Sequence, residues 1–307
     1  MYAFPRPAAD PARNPTAAMM LVGVQLKTLR GSLTLAAAAR KAGFSAAKLS
    51  RLENGLQAPK PADIAKLLRA YRAGREVAAA IGELVEYARA ARSHWLYAFR
   101  DLVDGDVHRL IALETAAALL VTYEAKIVPG LIQTPAYYRA LFEAELRPRQ
   151  ADELARRIAL RERRQELFFE NPARCVFYLE ESSLYRQVGS PRVMVEQLQR
   201  LYALTCRKGF GIRVIGMDHL FASSICSLTH LDFGSSDLRE LIYNETLTGG
   251  EYFTHGPDEP PARGQRLKLS EMEQYKEQLL RLMQISAGRL DSRSRILRAL
   301  QHWQRRL

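Results

Sequence analysis

The sequence predicts a mainly α N-terminal domain followed by an α+β C-terminal domain. Residues 19–92 repeat apolar positions every three or four residues, whereas short runs with period-two alternation appear beyond residue 170. A chain of 307 residues, of which 48% are hydrophobic, is long and apolar enough to bury two cores. We therefore expect two domains that differ in architecture.

The first 103 residues are predicted to contain three segments. Residues 1–18 are rich in Pro and Ala and are expected to form a disordered arm. Residues 19–75 have the pattern of short helices separated by Gly and Pro, which predicts a compact helical domain. Residues 76–103 are expected to form a helical linker, because their apolar residues share one helix face over about 76–92.

The remaining residues, 104–307, are predicted to form the α+β domain. β-branched and aromatic residues alternate with polar ones in four runs, which indicates strands at 175–180, 212–216, 227–233 and 241–246. Helical periodicity predicts helices at about 109–125, 134–144, 150–170, 191–206, 270–286 and 292–304. Helices therefore flank a small group of strands.

Positive charge is concentrated in one short segment. The formal net charge of the chain is +12, and residues 19–75 contain eleven Lys or Arg against two acids, Glu53 and Asp63. This distribution is the electrostatic footprint of phosphate contact, although a solvated basic surface gives the same count. The segment is therefore a candidate site for a polyanion.

Residues 34–55, TLAAAARKAGFSAAKLSRLENG, have the spacing of two helices that cross steeply. Ala39 is the small residue at which the two backbones touch, and Gly43 supplies a turn with positive φ. Leu49 and Leu52 form the inward face of the second helix. The segment predicts a helix-turn-helix, a motif whose second helix lies in the major groove of DNA.

The exposed stripe of that second helix is predicted to read bases. Arg51 on this stripe carries donors that suit bidentate pairing with guanine O6 and N7. Glu53 falls near the inward side, which predicts an ion pair within the domain. The predicted base contacts are Ala47, Ser50, Arg51 and Asn54. The predicted phosphate contacts are Lys27, Arg30, Arg40, Lys41, Ser45 and Lys48.

Two parts of this chain resemble known families. Together these parts cover about residues 19–290. Residues 19–75 resemble the Cro/phage-repressor-type (Xre) helix-turn-helix domain, most closely over FSAAKLSRLENG. Three segments resemble the actinobacterial antitoxin-like transcriptional regulators, in which an Xre domain precedes a domain of unknown function. These segments are 123–141, 156–167 and 243–253. The resemblance implies a transcriptional regulator, often encoded beside a small partner protein that it is thought to bind.

Other chemistries find little support in the sequence. The cysteines Cys175, Cys206 and Cys226 lie far apart without Cys-x-x-Cys spacing, which argues against a disulfide scaffold or a zinc finger. No Walker spacing, no Gly-x-Ser-x-Gly element and no His-x-x-x-His or paired-Cys spacing occurs. We therefore expect no catalytic residues, no cofactor, no metal and no enzymatic activity. The chain starts without an apolar signal segment and has no stretch that could span a bilayer. We therefore expect a cytoplasmic protein, nucleoid-associated when bound to DNA, with no membrane partner.

The expected function is a sequence-specific transcriptional regulator that binds double-stranded DNA as a homodimer and senses a partner protein or ligand through its second domain. The alternative is an antitoxin-like interaction module that neutralises, or is controlled by, a small partner protein and binds DNA for autoregulation. The glycines near residue 249 predict either a tight turn or the close approach of a guest. The candidate contacts for a partner or ligand are Val128, Pro129, Gly130, Tyr243, Thr248, Gly249, Gly250, Tyr252 and Phe253.

Overall fold

The computed structural model describes residues 15–55, 57–88, 95–99, 101–102, 105–145, 151–170, 173–219, 225–234, 240–246, 249–254 and 271–307. Contacts divide the chain into two compact units. The first unit is formed by residues 1–118, 231–242 and 249–272, and the second by residues 119–230, 243–248 and 273–307. The domain boundaries given above stay predictions.

The N-terminal part of the first unit consists of five helices. These are α1 (Pro15–Arg30), α2 (Leu35–Ala42), α3 (Ala46–Glu53), α4 (Pro61–Ala70) and α5 (Arg75–Ala88). Proline suits the first turn of α1, because the N–H groups of a first turn have no acceptor within the helix and proline lacks this group. Since α1 begins at Pro15 and buries Ala17 and Ala18, residues 15–18 are helical where we expected the arm. Residues 1–14 lie outside the described residues.

Helix α1 forms the centre of the helical core. It packs against α3, α5 and α6 (Gly105–Glu114). The sequence placed α5 in a linker, but here it contributes to the core. Apolar side chains of α1, α3, α4 and α5 are almost fully buried. They include Leu26, Leu49, Leu52, Ile64, Leu67, Ile81 and Leu84. Burial of each such side chain stabilises the fold by about 1.5–3 kcal/mol, so this core holds the short helices in place.

Six strands form a mixed sheet in the order β3-β2-β1-β4-β5-β6. The strands are β1 (Leu119–Glu124), β2 (Arg174–Glu180), β3 (Phe210–Ile215), β4 (Ser227–Asp232), β5 (Leu241–Thr246) and β6 (Gly249–Thr254). The first three are parallel, with Cys175 of β2 opposite both Leu120 and Phe210. Strand β4 runs antiparallel to β1, because Ala118 N donates to Asp232 O and Ala125 N donates to Cys226 O.

Six further helices belong mainly to the second unit. They are α7 (Pro135–Glu145), α8 (Ala151–Glu170), α9 (Glu181–Tyr185), α10 (Pro191–Leu204), α11 (Glu271–Ile285) and α12 (Arg289–Gln304). Helices α7 and α8 connect β1 to β2, and α9 and α10 connect β2 to β3, as parallel strands require. The predicted fold class is therefore confirmed: a helical N-terminal region precedes an α+β region.

One predicted helix is wrong over half of its length. The periodicity predicted a helix at about 109–125, but α6 ends at Glu114 and residues 119–124 form the parallel strand β1. Because β1 lies between β2 and β4 inside the sheet, both of its faces contain buried residues. Its apolar run therefore lacks the alternation that marks a half-exposed strand and resembles a buried helix.

Candidate nucleic-acid interface

The sequence specifies the crossing of α2 and α3 through two capping hydrogen bonds and one glycine turn. Thr34 Oγ1 accepts a hydrogen bond from Ala37 N at 3.2 Å and caps α2, and Ser45 Oγ accepts from Lys48 N at 3.2 Å and caps α3. Between them, Gly43 has φ +73°, a conformation that glycine adopts without strain. These contacts build the predicted helix-turn-helix geometry.

Two leucines and one glycine fix α3 against the core. Leu49 and Leu52 are 0% and 2% exposed, so they form the inward face of α3. On α1, Gly23 lies so close to the C-terminal end of α3 that a Cβ would overlap the Glu53 carbonyl oxygen. The same Cβ would lie only 2.9 Å from the Leu52 carbonyl oxygen. The absence of a side chain at this position therefore sets how closely α1 and α3 approach.

The opposite face of α3 presents small and polar groups to solvent. Ala47 and Arg51 are exposed, and Ser50 is partly exposed. Arg51 Nε donates to Gln57 Oε1 at 3.2 Å, which extends the side chain along the surface. Within the described part of the chain, the two terminal nitrogens of Arg51 have no protein acceptor. Arg51 therefore keeps the donors that bidentate pairing with guanine needs.

Asn54 is the fourth predicted base contact. Its side-chain amide nitrogen and oxygen both form hydrogen bonds within the protein. It is the C-cap residue of α3, and its Nδ2 donates to Ser50 Oγ at 3.3 Å. Its Oδ1 accepts a hydrogen bond from Arg109 Nη2 at 2.9 Å. Arg109 lies in α6, 55 residues away in sequence, and is 1% exposed. Sequence reasoning missed this contact, although an arginine within the apolar run of α6 was a signal for it.

The predicted phosphate contacts fall into two groups. Lys27, Arg40, Lys41 and Ser45 are exposed. Arg30 and Lys48 instead form ion pairs, with Nε of Arg30 2.7 Å from Glu53 Oε1 and Nζ of Lys48 2.9 Å from Asp63 Oδ2. The internal ion pair predicted for Glu53 is thus confirmed. Both pairs leave their cations less available to DNA than the exposed group.

A second basic surface, which the sequence analysis did not single out, lies between α2 and α4. It is an open cleft lined by Ala42, Ala70 and the cations Lys41, Lys66, Arg69 and Arg72. None of these four cations pairs with an acid among the described residues. Arg72 has φ +56° in the position after α4 where glycine is usual, so it holds a left-handed conformation that an L-residue rarely adopts.

Hydrogen bonds from other residues of the second unit hold the candidate turn at residues 128–130 in place. Gln133 Nε2 donates to Val128 O at 2.6 Å, and Gln165 Nε2 donates to Gly130 O at 2.7 Å. Val128 and Pro129 are buried. A Cβ on Gly130 would overlap the guanidinium group of Arg161. The carbonyl groups of this turn are therefore satisfied by buried glutamine side chains.

The other candidate contacts differ in exposure. Tyr243 of β5 is 1% exposed, whereas Gly250, Tyr252 and Phe253 of β6 are partly exposed. Gly249 opens β6 with φ +138°, a conformation that favours glycine and fits a turn. Thr248 lies outside the described residues. Which of these residues contact a partner or ligand stays a prediction.

Two carboxyl groups lie where β1 and β2 end. Burial raises the pKa of Glu124 to about 8, against the opposing effect of the hydrogen bond that Ser227 Oγ donates to Glu124 Oε1 at 2.8 Å. Burial also raises the pKa of Glu180, whose Oε1 accepts from Tyr123 Oη at 2.9 Å. Among the described residues, no three His, Cys, Asp or Glu side chains are grouped so that they could hold a metal ion.

Comparison with known families separates the chain into two matched regions. Residues 107–298 match the family model described as a domain of unknown function (DUF5753), and residues 21–81 match the model described as a helix-turn-helix domain. No curated protein and no solved structure matches the chain. The helix-turn-helix match indicates a DNA-binding regulator. In the part of the chain that the structure describes, no helix is long and apolar enough to cross a membrane.

Proposed function

The chain belongs to the family of the domain of unknown function (DUF5753), and we propose that it is a sequence-specific, Xre-type transcriptional regulator without enzymatic activity. One observation carries the proposal: α3 buries Leu49 and Leu52 and presents Ala47 and Arg51 on its opposite face. A helix held in this way can enter the major groove, where bases differ in their donors and acceptors.

Affinity and sequence preference arise from different residues in this proposal. Lys27, Arg40 and Lys41 are exposed cations that attract phosphates and release counterions, which gives affinity for any duplex. Arg51 donates to guanine O6 and N7, and Ala47 contacts a thymine methyl group. Because so few side chains reach the bases, a homodimer on two half-sites supplies the remaining affinity and preference.

The region matched by the DUF5753 family acts as the sensor in this proposal, and its signal is a ligand or a small partner protein. Its support is the position of Arg109: the matched region begins at residue 107, and Arg109 donates to the residue that ends α3. A change in this region of only 1–3 kcal/mol alters DNA affinity by about 5- to 150-fold.

The test compares two exposed cations of the helix-turn-helix. The full chain first selects duplexes from a random pool, and affinities for the selected and scrambled duplexes are then measured at several salt concentrations. Arg51→Ala should weaken binding to the selected duplex by about 1–3 kcal/mol and reduce the preference over the scrambled duplex. Lys41→Ala should weaken binding to both and lower the salt slope by about one.

Two outcomes oppose the proposal. If the wild-type chain enriches no sequence from the pool, it is not a sequence-specific regulator. If Arg51→Ala weakens the selected and scrambled duplexes equally, Arg51 contacts phosphate and α3 does not read bases in the way described.

A further inference from the structure

Arg109 is an uncommon residue for the interior of a protein. It is 1% exposed, and its Nη1 lies 3.6 Å from Asp106 Oδ1, which is too far for a strong ion pair. Within the described residues its Nε has no hydrogen-bond partner. Burying a cation without a close carboxylate costs solvation free energy, which the other contacts of Arg109 must offset.

The best hydrogen bond of Arg109 is to the end of α3. Its Nη2 donates to Asn54 Oδ1 at 2.9 Å, and Asn54 in turn donates to Ser50 Oγ at 3.3 Å. Ser50 lies on the partly exposed side of α3, one residue before Arg51. The guanidinium group thus fixes the C-cap of α3 and, through it, the side of α3 that faces DNA in the proposed function.

Strand β6 holds the other side of the same guanidinium group. The ring of Tyr252 lies 4.9 Å from Arg109 Cζ, in the range of a cation–π contact. Tyr252 Oη also donates to the Asp106 carbonyl oxygen at 2.6 Å, which ties β6 to the first turn of α6. Arg109, Asp106 and Tyr252 all belong to the first unit, so these contacts describe one compact body.

We propose that Arg109 is a positioning residue for DNA reading, through which β6 and α6 set the orientation of α3. This inference rests on the proposed function and names the route by which that function is regulated. While Arg109 contacts both Tyr252 and Asn54, α3 keeps one orientation and its base contacts form. A movement of β6 that displaces Tyr252 loosens the guanidinium group, releases Asn54 and weakens base contacts, while phosphate contacts, which depend less on orientation, persist.

The first experiment measures the affinity of full-length Arg109→Gln for a duplex selected by the wild-type chain and for a scrambled duplex. Binding is measured at a temperature well below the melting temperature of each variant, so that every molecule is folded. We expect about tenfold weaker binding to the selected duplex, the change that corresponds to about 1.4 kcal/mol. Binding to the scrambled duplex should change less than about twofold, and its salt slope should stay the same.

Tyr252→Phe is the milder variant, and it decides the question if Arg109→Gln does not fold. It keeps the ring beside Arg109 and removes the hydroxyl group that donates to the Asp106 carbonyl oxygen. We expect the preference for the selected duplex to fall in the same direction, by about threefold. An unchanged preference in Tyr252→Phe would overturn the role of β6.

Arg200→Gln is the matched control, because Arg200 is also an arginine whose guanidinium group contacts an aromatic ring. Its Cζ lies 5.3 Å from the Phe169 ring, and its buried Nε has no partner among the described residues. It belongs to the second unit. We expect a lower melting temperature with the wild-type preference. If Arg200→Gln reduces the preference as much as Arg109→Gln does, the effect is general destabilisation and the inference fails.

A double-mutant cycle tests whether Arg109 acts through Asn54. In the Asn54→Ala background, Arg109→Gln should cause no further loss of preference, because the contact that it removes is already absent. Additive losses would show that Arg109 acts by another route. A wild-type chain without sequence preference refutes the proposed function itself, whereas a wild-type preference that survives Arg109→Gln refutes only this inference.

Discussion

The two ends of α3 are held in different ways. At its N-terminal end, Gly43 and Ser45 supply the turn and the cap from within the motif. At its C-terminal end, Gly23 of α1 and Arg109 of α6 contact residues 52–54 from far away in sequence. The start of α3 is thus specified locally, and its end is specified by the tertiary structure.

This difference bears on regulation. A local cap forms whenever the motif folds, and it therefore transmits no information about the rest of the chain. The C-terminal end depends on helices that are themselves connected to other elements, so it can respond to them. Substitutions at the two ends should therefore change the free energy of unfolding by different amounts. Their effects should also depend to different degrees on the rest of the protein.

The largest effect is expected from Gly23→Ala. The added methyl group overlaps backbone atoms of α3, which cannot rotate away as a side chain could, so we expect a loss of about 2–3 kcal/mol in the free energy of unfolding. Gly82→Ala in α5 is the control, because nothing lies within 4 Å of its Cβ. That change should stabilise the helix by about 0.5–1 kcal/mol. Chemical denaturation measures both, and equal effects would show that α1 and α3 do not approach as described.

The next largest effect is expected from Arg30→Met. Glu53 is 3% exposed and loses the cation 2.7 Å from its carboxylate, which leaves a buried charge unpaired. We expect a loss of about 2 kcal/mol, between the losses typical of surface and of fully buried ion pairs, because the Arg30 side chain is partly exposed. Replacing both residues by Met should recover most of that loss, because no charge is then buried. If the double variant instead loses as much free energy of unfolding as Arg30→Met does, the side-chain volume of Arg30, and not the ion pair, holds this end of α3.

A smaller effect is expected at the N-terminal end. Ser45→Ala removes the acceptor for Lys48 N and should lower the free energy of unfolding by about 1 kcal/mol. Ser45→Asp keeps an acceptor and should retain the stability of the wild-type chain. If Ser45→Ala destabilises the protein more than Arg30→Met does, the N-terminal end carries more of the stability and the comparison is reversed.

The smallest effect is expected from pH, through His108 of α6, the helix that also contributes Arg109. His108 of α6 is 4% exposed, and burial lowers its pKa below the ordinary value of about 6.5. The folded state therefore holds His108 neutral, and stability falls as the pH drops from about 6.5 towards the lower folded pKa. His108→Gln should remove this part of the fall, measured as the difference in unfolding free energy between pH 7.5 and pH 5.5. An equal fall in both proteins would assign the pH dependence to other groups.

The same contrast explains what the sequence could predict. Caps, turn and inward leucines of α2 and α3 fall within 34–55, so their spacing alone predicted the motif and the stripe around Arg51. The contact of Arg109 with Asn54 spans 55 residues, and no local pattern encodes it. Strand β1 was assigned to a helix because its burial on both faces hides the alternation. Gly23, a glycine inside a helical pattern, indicates close packing, but it lies outside the motif at 34–55.

Base reading by α3 through Arg51 is best tested by changing the protein and the DNA together. Each guanine of a selected duplex is replaced in turn by 7-deazaguanine, which lacks the N7 acceptor, and binding is measured with wild-type and Arg51→Ala proteins. We predict one guanine in each half-site at which the substitution weakens wild-type binding by about 1–3 kcal/mol but leaves binding by Arg51→Ala unaffected. Losses that add at every guanine would show that Arg51 contacts none of them and would refute base reading through this residue.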